Sequence, residues 1–197
     1  MNIGFVSMQS INEHFISSGK LIKQSLSKLR DPISQAAKLI SKTFNSGGKL
    51  LICGNGGSAA DSQHFAAELV GHYLTERKPL AAIALTTNTS SLTAIGNDYG
   101  FDKVFSRQVE AYATKGDVLF CISTSGNSAN VIAAAKTAKS LQVKTIGLTG
   151  NKGGKLKSHC DINLIVPSNH TPFIQEIHLV TIHIICDLVE SGLLSSI

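Results

Sequence analysis

The sequence contains no tryptophan and only four cysteines and four prolines. The cysteines lie far apart with no C-x-x-C pair, and two of them, Cys53 and Cys121, fall in predicted strands, where a thiol behaves as a small apolar residue. We therefore expect a reduced, cytoplasmic protein. The other two are Cys160 and Cys186.

The sequence also shows no pattern typical of a targeting signal or of a membrane-spanning segment. The opening residues 1–10 carry a short apolar patch but neither a charged n-region nor an h-region of sufficient length. No stretch approaches the ~20 consecutive apolar residues that cross a bilayer. We therefore do not expect a membrane protein.

Charge of one sign is not concentrated anywhere. The 18 Lys and Arg residues exceed the 13 Asp and Glu residues by five, but they are scattered, without a basic run or interleaved aromatic residues. Such scatter favours a solvated basic surface over a nucleic-acid site, and part of it would steer anionic substrates. We expect no nucleic-acid and no membrane partner.

The pattern that is present centres on residues 50–71, LLICGNGGSAADSQHFAAELVG. A short apolar run at 49–53 predicts a buried parallel strand, residues 54–58 form a glycine turn, and a helix follows. Glycines admit a phosphate close to the backbone, while the helix dipole and its free N–H groups attract the negative charge. This predicts an anion site.

His64 and Glu68 stand at positions i and i+4 of that helix, and thus on one face. Two other interpretations compete with an enzyme site. The pair could simply lie on a solvated face. The glycines also fit a dinucleotide fingerprint, but the next predicted strand, 80–85, is followed by Thr86-Thr87-Asn88, without the expected carboxylate. The pair beside a glycine turn favours an enzyme acting on a phosphorylated substrate.

The remaining pattern alternates strands and helices within one 197-residue domain. We expect two leading helices within residues 1–46, with Asp31 as N-cap and Pro32 as first residue of the second helix. A doubly wound core follows over 47–197, with further strands at 118–122, 143–148 and 161–166. A polar stretch and one helix precede the strand at 118–122, a helix at 129–140 follows it, and a last helix covers 172–191. This order predicts a parallel sheet with ligands at the carboxyl ends of its strands.

Two more segments carry polar side chains at places where function is expected. Residues 123–128, STSGNS, join a strand to a helix and form a second candidate phosphate or hydroxyl clamp. On the last helix, Gln175 and His183 are eight residues apart and face one cleft, whereas His178 points elsewhere. A lone histidine on an apolar helix is usually a core residue, so this second signal is weaker.

These segments together resemble the sugar isomerase (SIS) domain family and, within it, the phosphoheptose isomerases. The matching pieces are GNGGSAAD at 54–61, QHFAAEL at 63–69, LTAIGNDYGF at 92–101, STSGNSANV at 123–131, LTGNKGG at 148–154 and IQEIHL at 174–179. The resemblance implies a three-layer α/β/α sandwich with a five-stranded parallel sheet.

The resemblance also implies an activity: the conversion of sedoheptulose 7-phosphate to D-glycero-D-manno-heptose 7-phosphate through an enediol(ate). This is the first step toward ADP- or GDP-heptose for lipopolysaccharide or surface polysaccharide. It implies Glu68 and His183 as the acid–base pair and one Zn²⁺ per subunit held by His64, Glu68, Gln175 and His183. The implied substrate contacts are Asn55, Gly56, Gly57, Asn97, Asp98, Ser123, Thr124, Ser125, Ser128 and Gln175.

Chemistry agrees with this residue set, because carbonyl migration needs an acid, a base and a stabilised oxyanion. Glutamine is a weak zinc ligand, and a metal-held carboxylate cannot freely act as a base, so the division of roles stays open. The alternative is a non-catalytic SIS-domain relative that binds a replication initiator protein. That relative lacks the residues equivalent to Glu68 and His183, and both are present here.

A third reading, a sugar-phosphate-sensing regulator, needs a DNA-binding domain that the 46 leading residues do not provide. The apolar faces of the leading helices and the last helix, supported by the family, predict a homotetramer with active sites near subunit boundaries.

Overall fold

The structure is a computed structural model that describes residues 8–194. Its strands are β1 (Leu50–Gly54), β2 (Ala82–Ala84), β3 (Val118–Ser123), β4 (Lys144–Thr149) and β5 (Ile162–Ile165). Its α-helices are α1 (Met8–Asn45), α2 (Gly57–Val70), α3 (Thr89–Tyr99), α4 (Ser106–Tyr112), α5 (Ala129–Ser140) and α6 (Thr171–Leu194). Two short 3₁₀ turns cover Phe101–Lys103 and Leu156–His159.

All five strands pair in parallel in the order β2-β1-β3-β4-β5. The order reverses direction between β1 and β3, so the connections that leave these two neighbouring strands diverge to opposite faces of the sheet. In such sheets the crevice at the reversal is where ligands bind. The glycine turn follows β1 and the serine loop follows β3, so both candidate phosphate clamps lie at this crevice.

Two hydrophobic clusters, one on each face, make the sheet the middle layer of an α/β/α sandwich. Alternate strand residues such as Ile52 and Phe120 pack with α1, α2 and α6. The intervening residues, such as Leu51 and Leu119, pack with α4 and α5, while Leu92 of α3 covers their edge. The predicted fold class is therefore confirmed.

The expected break between two leading helices is wrong, because α1 continues through Pro32. Proline removes one backbone hydrogen bond and costs a helix interior ~3 kcal/mol. The buried stripe of α1 nevertheless passes Pro32 without interruption, from Leu29 to Ile33 and Ile40. Packing of this stripe against α6 and the sheet outweighs the proline penalty, and Asp31 is not an N-cap.

The stretch between β2 and β3 also differs from the expectation of a polar stretch and one helix. It contains two α-helices, and the first begins inside the polar stretch because the side chain of Asn88 accepts a hydrogen bond from the N–H of Ser91 at 2.9 Å. An asparagine N-cap of this kind stabilises a helix start. The strands themselves lie within two residues of their predicted bounds.

Contrary to the expectation that no stretch is long and apolar enough to span a bilayer, residues Thr171–Gly192 of α6, with a mean hydropathy of 1.4, could do so by length and composition alone. Its side chains Ile174, Ile177, Ile182 and Ile185 are instead buried in the cluster with α1 and the sheet. The helix is thus a core element of the fold, as a long buried helix of this composition commonly is.

Candidate active site

The glycine turn after β1 is held open by asparagine pairing. The side-chain amides of Asn55 and Asn130 exchange two hydrogen bonds, at 2.8 and 3.0 Å, which tie the turn to the start of α5. Gly56 has φ of +56°, in the left-handed region that favours glycine. Gly56 and Gly57 are exposed at the start of α2, so the turn presents backbone rather than side chains to the crevice.

The serine loop after β3 is ordered by its own hydroxyls. Ser123 and Ser128 place their Oγ atoms 3.0 Å apart, and the Oγ of Ser125 accepts a hydrogen bond from the N–H of Asn127 at 3.1 Å. The side chain of Asn127 also donates to the carbonyl of Ser125. Ser125 itself stays exposed while Ser123 is buried, so the loop offers hydroxyl and amide groups on one side only.

A glycine-rich segment after β4 closes against this loop. Gly126 has φ of +65°, and a Cβ atom there would overlap the carbonyl of Gly153. Gly154 lies equally close to the backbone of Ser125 and Gly126, and the carbonyl of Gly126 accepts a hydrogen bond from the N–H of Leu156 at 2.9 Å. The LTGNKGG segment therefore serves as a backbone support for the serine loop.

The predicted acid–base and metal residues come together between α2 and α6. The Nε2 atoms of His64 and His183 lie 2.9 Å apart, and the Oε1 atom of Glu68 lies 3.6 Å from the Nε2 atom of His64. A hydrogen bond between two imidazoles requires one ring to donate and the other to accept, so at least one of them is neutral. His64 on α2 thus lies close to both Glu68 on its own helix and His183 on α6.

Gln175 sits at the other end of the same face of α6. Its amide packs against Gly57, so closely that any side chain at position 57 would collide with it. The contact places Gln175 of α6 against the start of α2, and a side chain at position 57 would displace the flexible end of Gln175. Gln175 joins the glycine turn to the histidine pair, because His183 lies two turns further along α6.

Asn97 and Asp98 are not brought into this group within the described chain. They lie at the exposed end of α3, where the Nδ2 atom of Asn97 donates to the Oδ1 atom of Asp98 at 2.8 Å. Helix α3 packs with the hydrophobic cluster on the other face of the sheet from α2 and α6. Apart from this bond to each other, neither side chain forms a hydrogen bond with a predicted site residue within residues 8–194.

Asp61, one turn before His64, has an unusual environment. Its Oδ2 atom is buried and has no hydrogen-bond partner within the described part of the chain. Burial raises the pKa of the Asp61 carboxyl to about 6, against a smaller lowering effect from His64. A carboxyl group that titrates near neutrality beside the histidine pair is a common feature of enzyme sites.

Several side chains at the site were not singled out by the sequence reasoning. Asp61 and Asn130 lie inside the segments that match the family, and this position is the feature that could have identified them. Tyr73 lies outside them, yet its ring stacks on that of His183, with centroids 5.5 Å apart and planes inclined by 29°. No local pattern announces this contact, because it depends on how the loop after α2 folds back over α6.

The side chains around the histidine pair include donor types that bind metal ions. Within residues 8–194 no group of three or more His, Cys, Asp or Glu side chains has the arrangement of a metal site. The donor types do fit zinc, since imidazole nitrogen and carboxylate oxygen are its usual ligands. The facing Nε2 atoms of His64 and His183, with Glu68 beside them, provide three such donors.

Comparison with known proteins agrees with the geometry. A family model described as SIS domain matches residues 13–150. The phosphoheptose isomerase of Aliarcobacter butzleri is 56% identical over 184 residues, which are 93% of this chain and 97% of that relative. The phosphoheptose isomerase of Helicobacter hepaticus is 57% identical over 184 residues, or 93% of this chain and 94% of the relative.

Solved structures show the same relationship. The structure of phosphoheptose isomerase GmhA from Neisseria gonorrhoeae has a TM-score of 0.89 at 50% identity, covering 93% of this chain and 98% of that chain. A phosphoheptose isomerase from Francisella tularensis has a TM-score of 0.92 at 41% identity, covering 95% and 100%. With the two clamps and the histidine pair in place, these matches assign the chain to the phosphoheptose isomerase family of SIS-domain proteins.

Proposed function

We propose that this sugar-phosphate isomerase converts sedoheptulose 7-phosphate to D-glycero-D-manno-heptose 7-phosphate, the first step toward nucleotide-activated heptose for lipopolysaccharide or surface polysaccharide. The observation that carries the proposal is the contact of His64 with His183 and Glu68. It lies between α6 and α2, the helix that begins at the glycine turn. A phosphorylated ketose with its phosphate in the loop extends from there toward this group.

The serine loop and the glycine turn hold the substrate in this proposal. Ser123, Thr124, Ser125 and Ser128 bind the phosphate, because hydroxyls and helix-start amides are good donors to an anion. Asn55, Gly56, Gly57 and Gln175 line the path toward the reacting carbons. Asn97 and Asp98 also contact substrate, and we propose that they reach it at a boundary between subunits.

Glu68 and His183 exchange the protons of the reaction. One removes the proton from the carbon beside the carbonyl, giving an enediol(ate), and the other serves the oxygens as the carbonyl moves. Proton return to the neighbouring carbon completes the isomerisation, so no atom is gained or lost. Tyr73, stacked on His183, limits the orientations of that imidazole.

We further propose one Zn²⁺ per subunit, held by His64, Glu68, Gln175 and His183. A bound zinc ion supplies Lewis acidity toward the carbonyl oxygen. His64 and His183 already face each other through Nε2, the atoms that would carry the lone pairs. Within residues 8–194 the side chain of Gln175 forms no hydrogen bond, so its amide oxygen is free to act as a ligand.

A homotetramer in the cytoplasm completes the proposal, with residues 1–197 as a single domain. A groove of about 460 Å³ between α1 and α6 is lined mainly by apolar side chains. Leu26, at 67% exposure, and Ile22, at 47%, border it, as do Ile184 and Leu188. Apolar area of this kind on two long helices is typical of a subunit contact.

The alternative of a non-catalytic protein that binds a replication initiator is not supported. The four relatives compared above are phosphoheptose isomerases. Glu68 and His183, which separate the two classes, lie at the histidine pair.

The test is turnover of sedoheptulose 7-phosphate by purified protein, followed by detection of the aldose product. Glu68→Gln keeps the size of the side chain but removes the base, so kcat falls by ~10²–10⁴. Glu76→Gln is the matched control, because it makes the same chemical change at a side chain that is 91% exposed, in the loop after α2. An active Glu68→Gln enzyme would refute the mechanism.

Metal dependence is tested separately. Activity lost on EDTA treatment and restored by zinc supports the metal, and elemental analysis gives one zinc per chain. Full activity in metal-free protein excludes zinc while leaving Glu68 and His183 as the acid–base pair.

A further inference from the structure

A buried ion pair lies beyond the histidine pair, at the far end of α2 and α6. The Nε atom of Arg77 lies 2.9 Å from the Oε1 atom of Glu190, and the two side chains are only 7% and 3% exposed. Neither residue belongs to a motif that suggested function. A charge pair this deeply buried costs desolvation energy, which only good geometry and further hydrogen bonds offset.

Arg77 caps the carboxyl end of α2. Its Nη2 atom donates to the carbonyl of Glu68 at 2.9 Å and its Nη1 atom to the carbonyl of Leu69 at 2.8 Å. Nη1 also donates to the carbonyls of Gly71 and Lys78. The last carbonyls of a helix lack partners within it and carry its negative dipole end, so a guanidinium satisfies both needs. One of the residues it fixes is Glu68, a member of the proposed acid–base pair.

Glu190 gathers the loop that follows α2. Its carboxylate accepts hydrogen bonds from the backbone N–H groups of Tyr73, Leu74 and Thr75, at 2.7 to 3.0 Å, in addition to Arg77. Burial alone would raise the pKa of Glu190, but these N–H groups and Arg77 outweigh it and lower the pKa. The carboxylate is therefore ionised, and both of its oxygens accept hydrogen bonds.

The same contacts reach His183 by two routes. Glu190 lies seven residues after His183 on α6, on the same face of the helix. Glu190 also binds the N–H of Tyr73, whose ring stacks on His183. The Arg77–Glu190 pair thus connects the backbone of Glu68 on α2 with the ring that orients His183 on α6.

We propose that Arg77 and Glu190 are positioning residues for the isomerase reaction, which set the distance between Glu68 and His183. This rests on the proposed acid–base roles of those two residues. Arg77 and Glu190 are almost fully buried and bound to each other, so the proposal gives neither of them a contact with substrate. Catalytic groups must be held to within a fraction of an ångström, and small displacements from remote changes lower turnover strongly.

The chain provides a matched control for a purely stabilising role. Asp117 is also a buried carboxylate paired with a cation, Lys49, at 2.6 Å. It likewise accepts backbone N–H groups, from Lys49 and Thr114. This pair lies at the amino ends of β1 and β3, the opposite edge of the sheet from the active site.

The experiment compares Glu190→Gln with Asp117→Asn in the full-length protein. Both changes keep side-chain size and one acceptor oxygen while removing the charge, and both lower the unfolding temperature. We expect kcat per folded enzyme to fall ~10- to 100-fold only in Glu190→Gln, with KM for sedoheptulose 7-phosphate unchanged within about threefold. Arg77→Lys, which keeps the charge but loses the planar fork, gives the same pattern.

Equal kcat in Glu190→Gln and wild type, with stability lowered as in Asp117→Asn, overturns the proposal. If Glu190→Gln does not fold, Arg77→Lys and Tyr73→Leu decide, the latter removing the ring over His183 without touching the ion pair. Wild-type kcat in both overturns it, and a selective kcat loss in both supports it. Glu68→Gln, measured in parallel, distinguishes failure of the proposed function from failure of this inference. An active Glu68→Gln enzyme refutes the proposed function. An inactive Glu68→Gln enzyme together with a fully active Glu190→Gln enzyme refutes only the positioning role.

Discussion

Replacing His178 tests how far a buried, unpaired imidazole limits acid stability. His178 on α6 is fully buried, and neither ring nitrogen has a hydrogen-bond partner within the described residues. Burial lowers the pKa of His178 to about 4 from its ordinary value of 6.5, and the nearby backbone of Thr149, which does not meet hydrogen-bond geometry, opposes this shift only in part. The ring is therefore neutral in the folded protein at pH 7.

The sign of the pH dependence follows from which state binds more protons. Between pH 6.5 and 4 the unfolded chain protonates His178 while the folded protein does not, so acid favours unfolding. The stability is intact above pH 6.5 and is lost as the pH falls toward 4. A pKa difference of this size corresponds to about 3 kcal/mol at its limit and to slightly less at pH 4.5.

His178→Leu removes this proton-linked loss. At pH 7 we expect the variant to differ from wild type by no more than ~1 kcal/mol, because losing two unpaired nitrogens offsets the change in packing. At pH 4.5 the variant becomes the more stable protein, by about 2 kcal/mol. Urea unfolding followed by circular dichroism at pH 7, 6, 5 and 4.5, at one fixed protein concentration, measures both values.

Other titrating groups are present in both proteins and cancel in the difference. Asp117, Asp161 and Glu190 have lowered pKa values and lose their contribution at low pH, whereas Asp61, whose pKa is raised, acts in the opposite direction. A stability difference between wild type and His178→Leu that stays constant from pH 7 to 4.5 would refute the reasoning.

Four further changes have defined outcomes. Ser125→Ala removes a phosphate donor, so KM rises by a factor of ~5–30 with kcat nearly unchanged, in steady-state kinetics; abolished turnover with unchanged KM would mean that the loop is misassigned. Gly126→Ala places a Cβ atom against the carbonyl of Gly153 at a left-handed φ, so KM rises and stability falls by ~1–3 kcal/mol in urea unfolding; wild-type values for both would exclude a tight contact there. Pro32→Ala restores a helix hydrogen bond and raises the unfolding free energy by ~1–2 kcal/mol, unless α1 breaks at this residue after all. Leu26→Asp lowers the light-scattering mass from four chains toward one, and a wild-type protein that already has the mass of one chain would end the tetramer proposal.

The sheet was predictable because its strands follow a simple rule. Parallel strands buried on both faces appear as short apolar runs, and the runs at 49–53, 118–122 and 143–148 each lie within one residue of an observed strand. The turn chemistry was equally local: GNGGS and STSGNS both lie at the carboxyl ends of neighbouring strands. The prediction of a helix break at Pro32 was wrong, because the free-energy cost of proline inside a helix is smaller than the gain from packing α1 along the core.

The candidate site was only partly predictable, for a geometric reason. Positions of His64 and Glu68 relative to each other follow from helix spacing, as do those of Gln175 and His183. The distance between the two helices does not, because it is decided by contacts such as Gln175 on Gly57 that join residues far apart in sequence. The contacts of Tyr73, Arg77 and Glu190 also join residues far apart in sequence, so the sequence did not predict them.

The two ends of the α2–α6 pair are fixed by different means, and this bears on where catalysis is sensitive. At the amino end of α2 the absence of a side chain at Gly57 lets the amide of Gln175 approach. At the carboxyl end Arg77 and Glu190 join the helices through charge and hydrogen bonds. The histidine pair lies between these two points, on helices rather than on loops, so its geometry follows the helix axes. Changes at either end, neither of them adjacent to the reacting atoms, therefore act on the separation of Glu68 and His183.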